Sequence, residues 1–331
     1  DPSASELLSG KSGGSTGVWS YSVADSGSPS PAPTPTPTPP PINTIQPNPP
    51  WGLDRIDQRS LPLNNGFAAA GNGSGVTVYV IDTGIRTTHT EYASRVVAGY
   101  DLVDNDSNPS DCEGHGTHVA CTVLGDGTRG NYEGIAPKAE LYFQAMENDN
   151  NGNFQWSSIN NMLNTAYSNG ARTHTNSWGS SSSSDWGAYT STSEDVDDRA
   201  RYYDQYYSGR EGLTVLFAAG NDGPNSATIG APGTAKNTIT VGNSQNRYSG
   251  APNTIMDGSS RGPVDDGRIK PDILAPGGYV RSCRAQEATD IGGATWTSNW
   301  YLEYTGTSMA TPNAAGTAAL IREYITEVAQ R

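Results

Sequence analysis

The segment "GVTVYVID" at residues 75–82 reads as a buried strand that ends on a carboxylate, followed at once by Thr83 and Gly84. Two more β-branched runs, "LTVLFAAGN" at 213–221 and "NTITVGN" at 237–243, have the same character. Longer helix-compatible segments alternate with such runs along the chain. This alternation predicts buried parallel strands of an α/β sheet.

Composition limits the classes of partner. The 331 residues are 34% hydrophobic, which is enough for a sizeable core. Acidic residues outnumber basic ones 34 to 20, and the formal charge is −14. This charge argues against binding to nucleic acid or to an anionic membrane. No apolar run in the sequence approaches the length needed to span a bilayer.

A change of composition divides the chain near residue 50. Residues 28–41, "SPSPAPTPTPTPPP", are typical of an extended polyproline-type linker. The Ser/Gly-rich residues before it have few apolar anchors and predict a disordered tail. We therefore expect a tail and linker over 1–50 and one globular domain over 51–331. The opening "DPSASELLSG" suggests a processed terminus, compatible with export.

The stretch "DCEGHGTHVAC" at 111–121 contains four potential metal ligands at a spacing of three: Cys112, His115, His118 and Cys121. On a helix these side chains would fan over half the circumference and climb about 13 Å, so one zinc ion could not bind all four. The alternative is a loop that turns at Gly114 and enters a helix near His115. That places His115 at the sheet edge as a candidate base and leaves His118 as a structural residue.

Three other polar residues sit where α/β folds collect functional groups. Asp82 ends its strand, at the sheet edge where such sites form. Asn221 follows the strand at 213–221 and could donate a hydrogen bond from its amide. Ser308 begins a helix-compatible run over 308–326, where Pro312 is tolerable only near the first turn. Each has an ordinary structural reading as well, as a turn residue or a helix cap.

The motifs "VIDTGI", "GHGTHVA", "NSWG", "AAGND" and "GTSMATP", in that order, resemble the subtilisin-like serine proteases over residues 51–331. The early part is most similar to the proteinase K and aqualysin branch, and the later part to an alkaline protease branch. The resemblance implies a subtilisin-like three-layer α/β fold, with a central mostly parallel sheet and helices on both faces.

The same resemblance implies a catalytic role for each candidate. Ser308 would attack the scissile carbonyl, His115 would accept and return its proton, and Asp82 would orient His115. Asn221 and the backbone N–H of Ser308 would form the oxyanion hole. We therefore expect the protein to be a secreted, extracellular, monomeric serine endopeptidase that acts through an acyl-enzyme on protein or peptide substrates.

Substrate would bind as an extended strand. By resemblance, its partners are Ser177, Trp178 and Gly179 on one side and Asn151, Gly152 and Asn153 on the other. Gly230 would line the primary specificity pocket and leave room for large apolar or aromatic side chains. Trp178 stands where relatives often have leucine, so the finer preference stays open.

The resemblance also implies a structural calcium ion, held by the side chain of Asp272 and the carbonyls of Lys236 and Thr238. The three cysteines allow at most one internal disulfide with one thiol left over. A bridge between Cys112 and Cys283 is one pairing that the sequence leaves open. The alternative to an enzyme is a catalytically silent binding module that keeps the subtilase fold.

Overall fold

A seven-stranded parallel sheet forms the centre of the computed structural model, which describes residues 46–92, 94–128, 134–146, 158–206, 212–246, 253–285, 295–296 and 300–329. Its strands, in spatial order, are β4 (Val96–Asp101), β5 (Glu140–Ala145), β3 (Thr77–Asp82), β6 (Thr173–Asn176), β7 (Thr214–Ala218), β8 (Thr238–Ser244) and β9 (Ile273–Pro276). Every neighbouring pair is parallel. The three strands predicted from sequence are confirmed as β3, β7 and β8.

Alternate residues of β3 face opposite sides of the sheet and belong to two separate hydrophobic cores. Val78 and Val80 pack with α2 (His115–Leu124) and α5 (Thr307–Ala329) on one face. Tyr79 and Ile81 pack with α3 (Ile159–Ser168) and α4 (Ser191–Tyr206) on the other. All four β3 side chains are fully buried. The predicted α/β fold, with helices on both faces, is therefore confirmed.

Smaller elements complete the described part of the chain. A two-stranded antiparallel sheet is formed by β1 (Gln46–Pro47) and β2 (Gly66–Phe67). A short helix, α1 (Trp51–Ile56), lies between these two strands in the chain. An antiparallel sheet has the order β10 (Val280–Cys283), β12 (Tyr301–Tyr304) and β11 (Thr295–Trp296). These short elements were not predicted from the sequence. No described helix is long and apolar enough to cross a membrane.

The central helix α5 packs closely against its neighbours because the side chains on its buried face are small. Ala310, Ala315 and Ala319 are fully buried. A Cβ at Gly316 would come within 2.4 Å of the Cβ of Ile135, so only glycine permits this approach. The helix begins at Thr307, one residue before the predicted start, and Pro312 lies in its second turn.

The disulfide joins Cys121 in α2 to Cys283 at the end of β10. The two Cα atoms are 5.6 Å apart, within the usual range for a bridge. Both residues belong to the buried core. The Cys112–Cys283 pairing left open by the sequence is thus not the one formed, and Cys112 lies outside the disulfide.

We expect loss of this bridge to destabilise the domain, because it closes a segment of 162 residues between helix and sheet. Replacing both cysteines by alanine should lower the free energy of unfolding by roughly 2–5 kcal/mol. Urea unfolding followed by circular dichroism measures the change, and Cys112→Ala is the matched control. Equal unfolding midpoints for the double variant and the control would contradict the expectation.

Candidate active site

Asp82 and His115 are joined by a short hydrogen bond at the carboxyl edge of the sheet. Asp82 is the last residue of β3, and His115 is the first residue of α2. The distance from His115 Nδ1 to Asp82 Oδ1 is 2.6 Å. The carboxylate is almost fully buried, whereas 22% of the imidazole remains exposed. This geometry holds the ring so that its other nitrogen can meet a reactant.

Asp111 connects the end of β3 to the start of α2. Its carboxylate accepts hydrogen bonds from Thr83 Oγ1 at 3.0 Å, from the N–H of Gly114 at 2.7 Å and from the N–H of Thr117 at 2.9 Å. Thr83 Oγ1 in turn accepts the N–H of Gly116 at 2.9 Å. Asp111 was not among the residues predicted from the sequence, although an Asp a few residues before a helix can bind the free N–H groups of the first turn.

Two glycines permit this close approach of strand and helix. A Cβ at Gly84 would lie 2.2 Å from the carbonyl oxygen of Ser110, and a Cβ at Gly116 would lie 2.2 Å from that of Gly84. Both contacts are with backbone, which cannot move aside like a flexible side chain. The glycines therefore set the spacing at which Asp82 and His115 meet.

The charges around His115 favour its protonated form. Burial of the ring acts to lower its pKa, but the charge and hydrogen bond of Asp82, followed by the charges of Glu113 and Asp111, raise it to about 9. Glu113 Oε2 also accepts the N–H of His115 at 3.2 Å. Burial raises the pKa of the Glu113 carboxyl, which the nearby imidazole partly offsets.

His118 points into the core, away from Asp82. Its Nε2 lies 3.0 Å from the carbonyl oxygen of Val280, and its ring packs on Tyr304. Burial lowers the pKa of His118 to about 3, so the ring is neutral. Because Cys121 is bonded to Cys283, its sulfur is not a thiolate ligand. The evenly spaced residues of 111–121 therefore do not form a zinc site.

Ser308, the second residue of α5, exchanges hydrogen bonds with Ser177 at the end of β6. Ser308 Oγ donates to the carbonyl oxygen of Ser177 at 3.0 Å, and Ser177 Oγ donates to that of Ser308 at 2.8 Å. In a regular helix the Ser308 carbonyl would accept the N–H of residue 312, which is Pro312 and has none. The proline thus makes this carbonyl available to Ser177.

The first turn of α5 leaves one N–H group available beside Ser308. Asn221 Oδ1 accepts the N–H of Thr307 at 2.9 Å and its hydroxyl at 3.0 Å. The N–H groups of Met309 and Ala310 bind the carbonyl of Gly306. The N–H of Ser308 has no partner among the described residues. The bonds to Asn221 Oδ1 orient the Asn221 amide so that its NH₂ group faces away from Thr307.

These residues border a pocket of about 210 Å³. Ser308 and Asn221 line it. The described residues that were predicted to bind substrate line it as well, namely Ser177, Trp178, Gly179 and Gly230. Residues Asn151, Gly152 and Asn153 lie outside the described part of the chain. A Cβ at Gly230 would come within 2.3 Å of the Ser180 carbonyl oxygen, so this wall has no room for a side chain.

Trp178 lines the pocket, and it also packs against the core beneath. The indole N–H donates to the carbonyl of Ile81 at 3.1 Å, one residue before Asp82. The ring packs edge-on against Phe217 with centroids 5.0 Å apart. Trp178 thereby links the pocket to the strand that carries Asp82.

The residues expected to bind calcium lie near the starts of β8 and β9, at the opposite edge of the sheet from Asp82. Asp272 Oδ2 accepts from the ammonium of Lys270 at 2.6 Å, and the Thr238 carbonyl accepts from the same ammonium at 3.0 Å. The backbone N–H of Lys236 donates to Asp197. Within the described ranges, no group of three or more His, Cys, Asp or Glu side chains is arranged to hold a metal ion.

We predict that His115 titrates near pH 9 and that His118 and His174 stay neutral from pH 5 to pH 10, because burial lowers the pKa of the latter two to about 3. Imidazole chemical shifts measured by NMR across this range test the assignment. Glu113→Gln removes a negative charge beside the ring and should lower the pKa of His115.

Glu140→Gln is the matched control, since it removes the same charge at an exposed position at the start of β5. An unchanged His115 pKa in Glu113→Gln, or an equal change in the control, would show that Glu113 does not act on the ring.

The subtilase family model matches residues 73–330. The chain is 32% identical to alkaline serine exoprotease A of Vibrio alginolyticus, covering 83% of this chain and 43% of that protein. It is 36% identical to serine protease AprX of Bacillus subtilis, covering 75% of this chain and 57% of that one. It thus spans about half the length of these relatives.

Among solved structures, a cold adapted subtilisin-like serine proteinase superposes with a TM-score of 0.63 at 32% identity, covering 85% of this chain and 86% of that one. The sphericase structure superposes with a TM-score of 0.61 at 29% identity, covering 83% and 84%. Sequence and fold therefore agree, and the chain belongs to the subtilase family.

Proposed function

We propose that this protein is a serine endopeptidase with Asp82, His115 and Ser308 as its catalytic triad. The observation that supports this most directly is the 2.6 Å hydrogen bond between His115 and the buried Asp82. Ser308 lies in the first turn of a helix that borders a pocket. The relatives at 32% and 36% identity are named as serine proteases.

A serine hydroxyl is a poor nucleophile unless a base removes its proton. His115 would take the proton on Nε2 while Asp82 holds Nδ1, and would later return it to the leaving amine. Because Ser308 Oγ donates to the Ser177 carbonyl, the hydroxyl must turn its proton toward His115 before attack. A base whose pKa is about 9 is neutral only in alkaline solution, so the site favours alkaline conditions.

The carbonyl oxygen of the substrate gains negative charge during attack. We assign its two donors as the Asn221 amide NH₂ and the N–H of Ser308, both beside the pocket. Preorganised donors of this kind stabilise the tetrahedral intermediate, and loss of one costs about 10²–10³ in kcat, a range known from this family. The bonds from Thr307 to Asn221 Oδ1 provide the preorganisation.

Substrate would lie as an extended strand along Ser177–Gly179, with Asn151, Gly152 and Asn153 proposed as the opposite side. The side chain before the scissile bond would enter the pocket at Gly230. Ala218 and the glycines of its lining suit large apolar or aromatic residues. We expect broad cleavage after such residues.

Secretion is the setting that fits the remaining features. One relative is named an exoprotease and another an extracellular proteinase, from Thermus sp.. A disulfide in the core is typical of proteins that fold in oxidising compartments. We propose an extracellular monomer.

A serine-directed fluorophosphonate should label the wild-type protein and fail to label Ser308→Ala, because only an activated hydroxyl reacts. Mass spectrometry of the labelled peptide gives the site. Labelling that persists in Ser308→Ala would place the nucleophile elsewhere. A folded wild-type protein that takes no label would favour the catalytically silent binding module.

Gly230→Ala should reduce kcat/KM for substrates with an aromatic residue before the scissile bond by roughly tenfold or more, and less for small residues. The added methyl group meets the Ser180 carbonyl at the pocket wall. Profiling with a peptide library measures both preferences. Gly258→Ala is the control, since a Cβ there meets nothing within 4 Å. Equal profiles for the two variants would remove Gly230 from the pocket assignment.

A further inference from the structure

The loop at 234–238 leads from the pocket residue Gly230 into β8, and charged side chains hold its backbone. Asp197, on α4, accepts the N–H of Lys236 at 3.0 Å and the N–H of Asn237 at 2.6 Å. Its carboxylate also accepts from the hydroxyl of Tyr189 at 2.7 Å. The donors of the loop are therefore bound by an anion that the chain itself supplies.

The acceptors of the same loop are bound by cations of the chain. The Arg268 guanidinium donates to the carbonyl of Thr234 at 2.8 Å and contacts that of Ala235 at 3.4 Å. The Lys270 ammonium donates to the carbonyl of Thr238 at 3.0 Å. Carbonyl groups that turn toward a common cation are the usual ligands of a hard metal ion. Here two side chains contribute the positive charge.

Lys270 is nearly inaccessible, with 3% of its side chain exposed. Its ammonium lies 2.6 Å from Asp272 Oδ2, which also accepts the N–H of Thr240 at 2.7 Å. A lysine is buried to this extent only when its charge is paired and hydrogen-bonded. The Asp272 carboxylate and the Thr238 carbonyl meet that requirement together.

We propose that the Lys270 ammonium takes the place of a bound calcium ion at this loop. The oxygens of Asp272 and Thr238, which the family resemblance gives as calcium ligands, are the two that bind the ammonium. Calcium requires six to eight oxygen ligands, and a metal ion sharing these two would be repelled by the adjacent ammonium. The residues present therefore do not fit a calcium ion here.

An internal cation braces the loop in a way that does not depend on the concentration of free calcium. The stabilisation from a bound ion depends on the free concentration of that ion relative to its Kd, whereas Lys270 is always present at one per chain. The pocket wall that continues into this loop is thus expected to keep its structure in the presence of a chelator.

Calcium titration by calorimetry of chelator-treated protein tests the assignment. Wild type and Asp272→Asn, both in a Ser308→Ala background that prevents autolysis, should bind the same number of calcium ions. Equality holds even if other parts of the chain bind calcium, because the two proteins differ only at this carboxylate. One ion fewer in Asp272→Asn would overturn the proposal.

Lys270→Ala opens space beside the same oxygens and should gain one calcium ion that the double variant Lys270→Ala/Asp272→Asn does not bind. Its Tm should fall in chelator and recover in calcium. Lys270→Met keeps the stem without the charge, so its Tm should be lower by roughly 5 °C with or without calcium. Lys270→Arg is the control that retains a cation.

If Lys270→Ala does not gain an ion, the oxygens of Asp272 and Thr238 do not form a calcium site. That result would overturn the proposal that the Lys270 ammonium takes the place of calcium. An unchanged Tm in Lys270→Met would show that the ammonium does not brace the loop. The readouts are ion binding and unfolding, so they stand apart from the proposed peptidase activity.

Discussion

The candidate site depends on the hydrogen bond between Asp82 and His115, which joins the end of β3 to the start of α2. The Asp111 carboxylate accepts hydrogen bonds from backbone N–H groups at that junction, and the glycines at 84 and 116 allow the two backbones to come into contact. The positions of Asp82 on the sheet and of His115 on the helix therefore both depend on the same close packing of β3 against α2.

The parts of the fold with a strong local pattern could be predicted from sequence. Buried parallel strands are continuous apolar runs, so β3, β7 and β8 could be predicted, and the helix-compatible run at 308–326 predicted most of α5. The two-residue and four-residue strands β1, β2 and β10–β12 carry too little pattern. The pairing of Cys121 with Cys283 depends on contact across 162 residues, which spacing does not encode.

Prediction of the site shows the same division. Asp82, His115, Asn221 and Ser308 could be named as candidates because each lies at a strand end or near the start of a helix, and the family resemblance implied their proposed catalytic roles. The role of Lys270 could not, because a lysine in a polar segment ordinarily predicts an exposed side chain. Its burial follows from where the Thr238 carbonyl and the Asp272 carboxylate meet in three dimensions.

Pro312 has an effect on motion within the site. By freeing the Ser308 carbonyl, it allows Ser177 and Ser308 to be joined by two antiparallel hydrogen bonds, one in each direction. A pair of bonds resists shear and rotation where a single bond would act as a pivot. The proposed nucleophile and the proposed substrate-binding strand should therefore fluctuate as one body, so that thermal displacement of the helix carries both without changing the distance over which attack occurs.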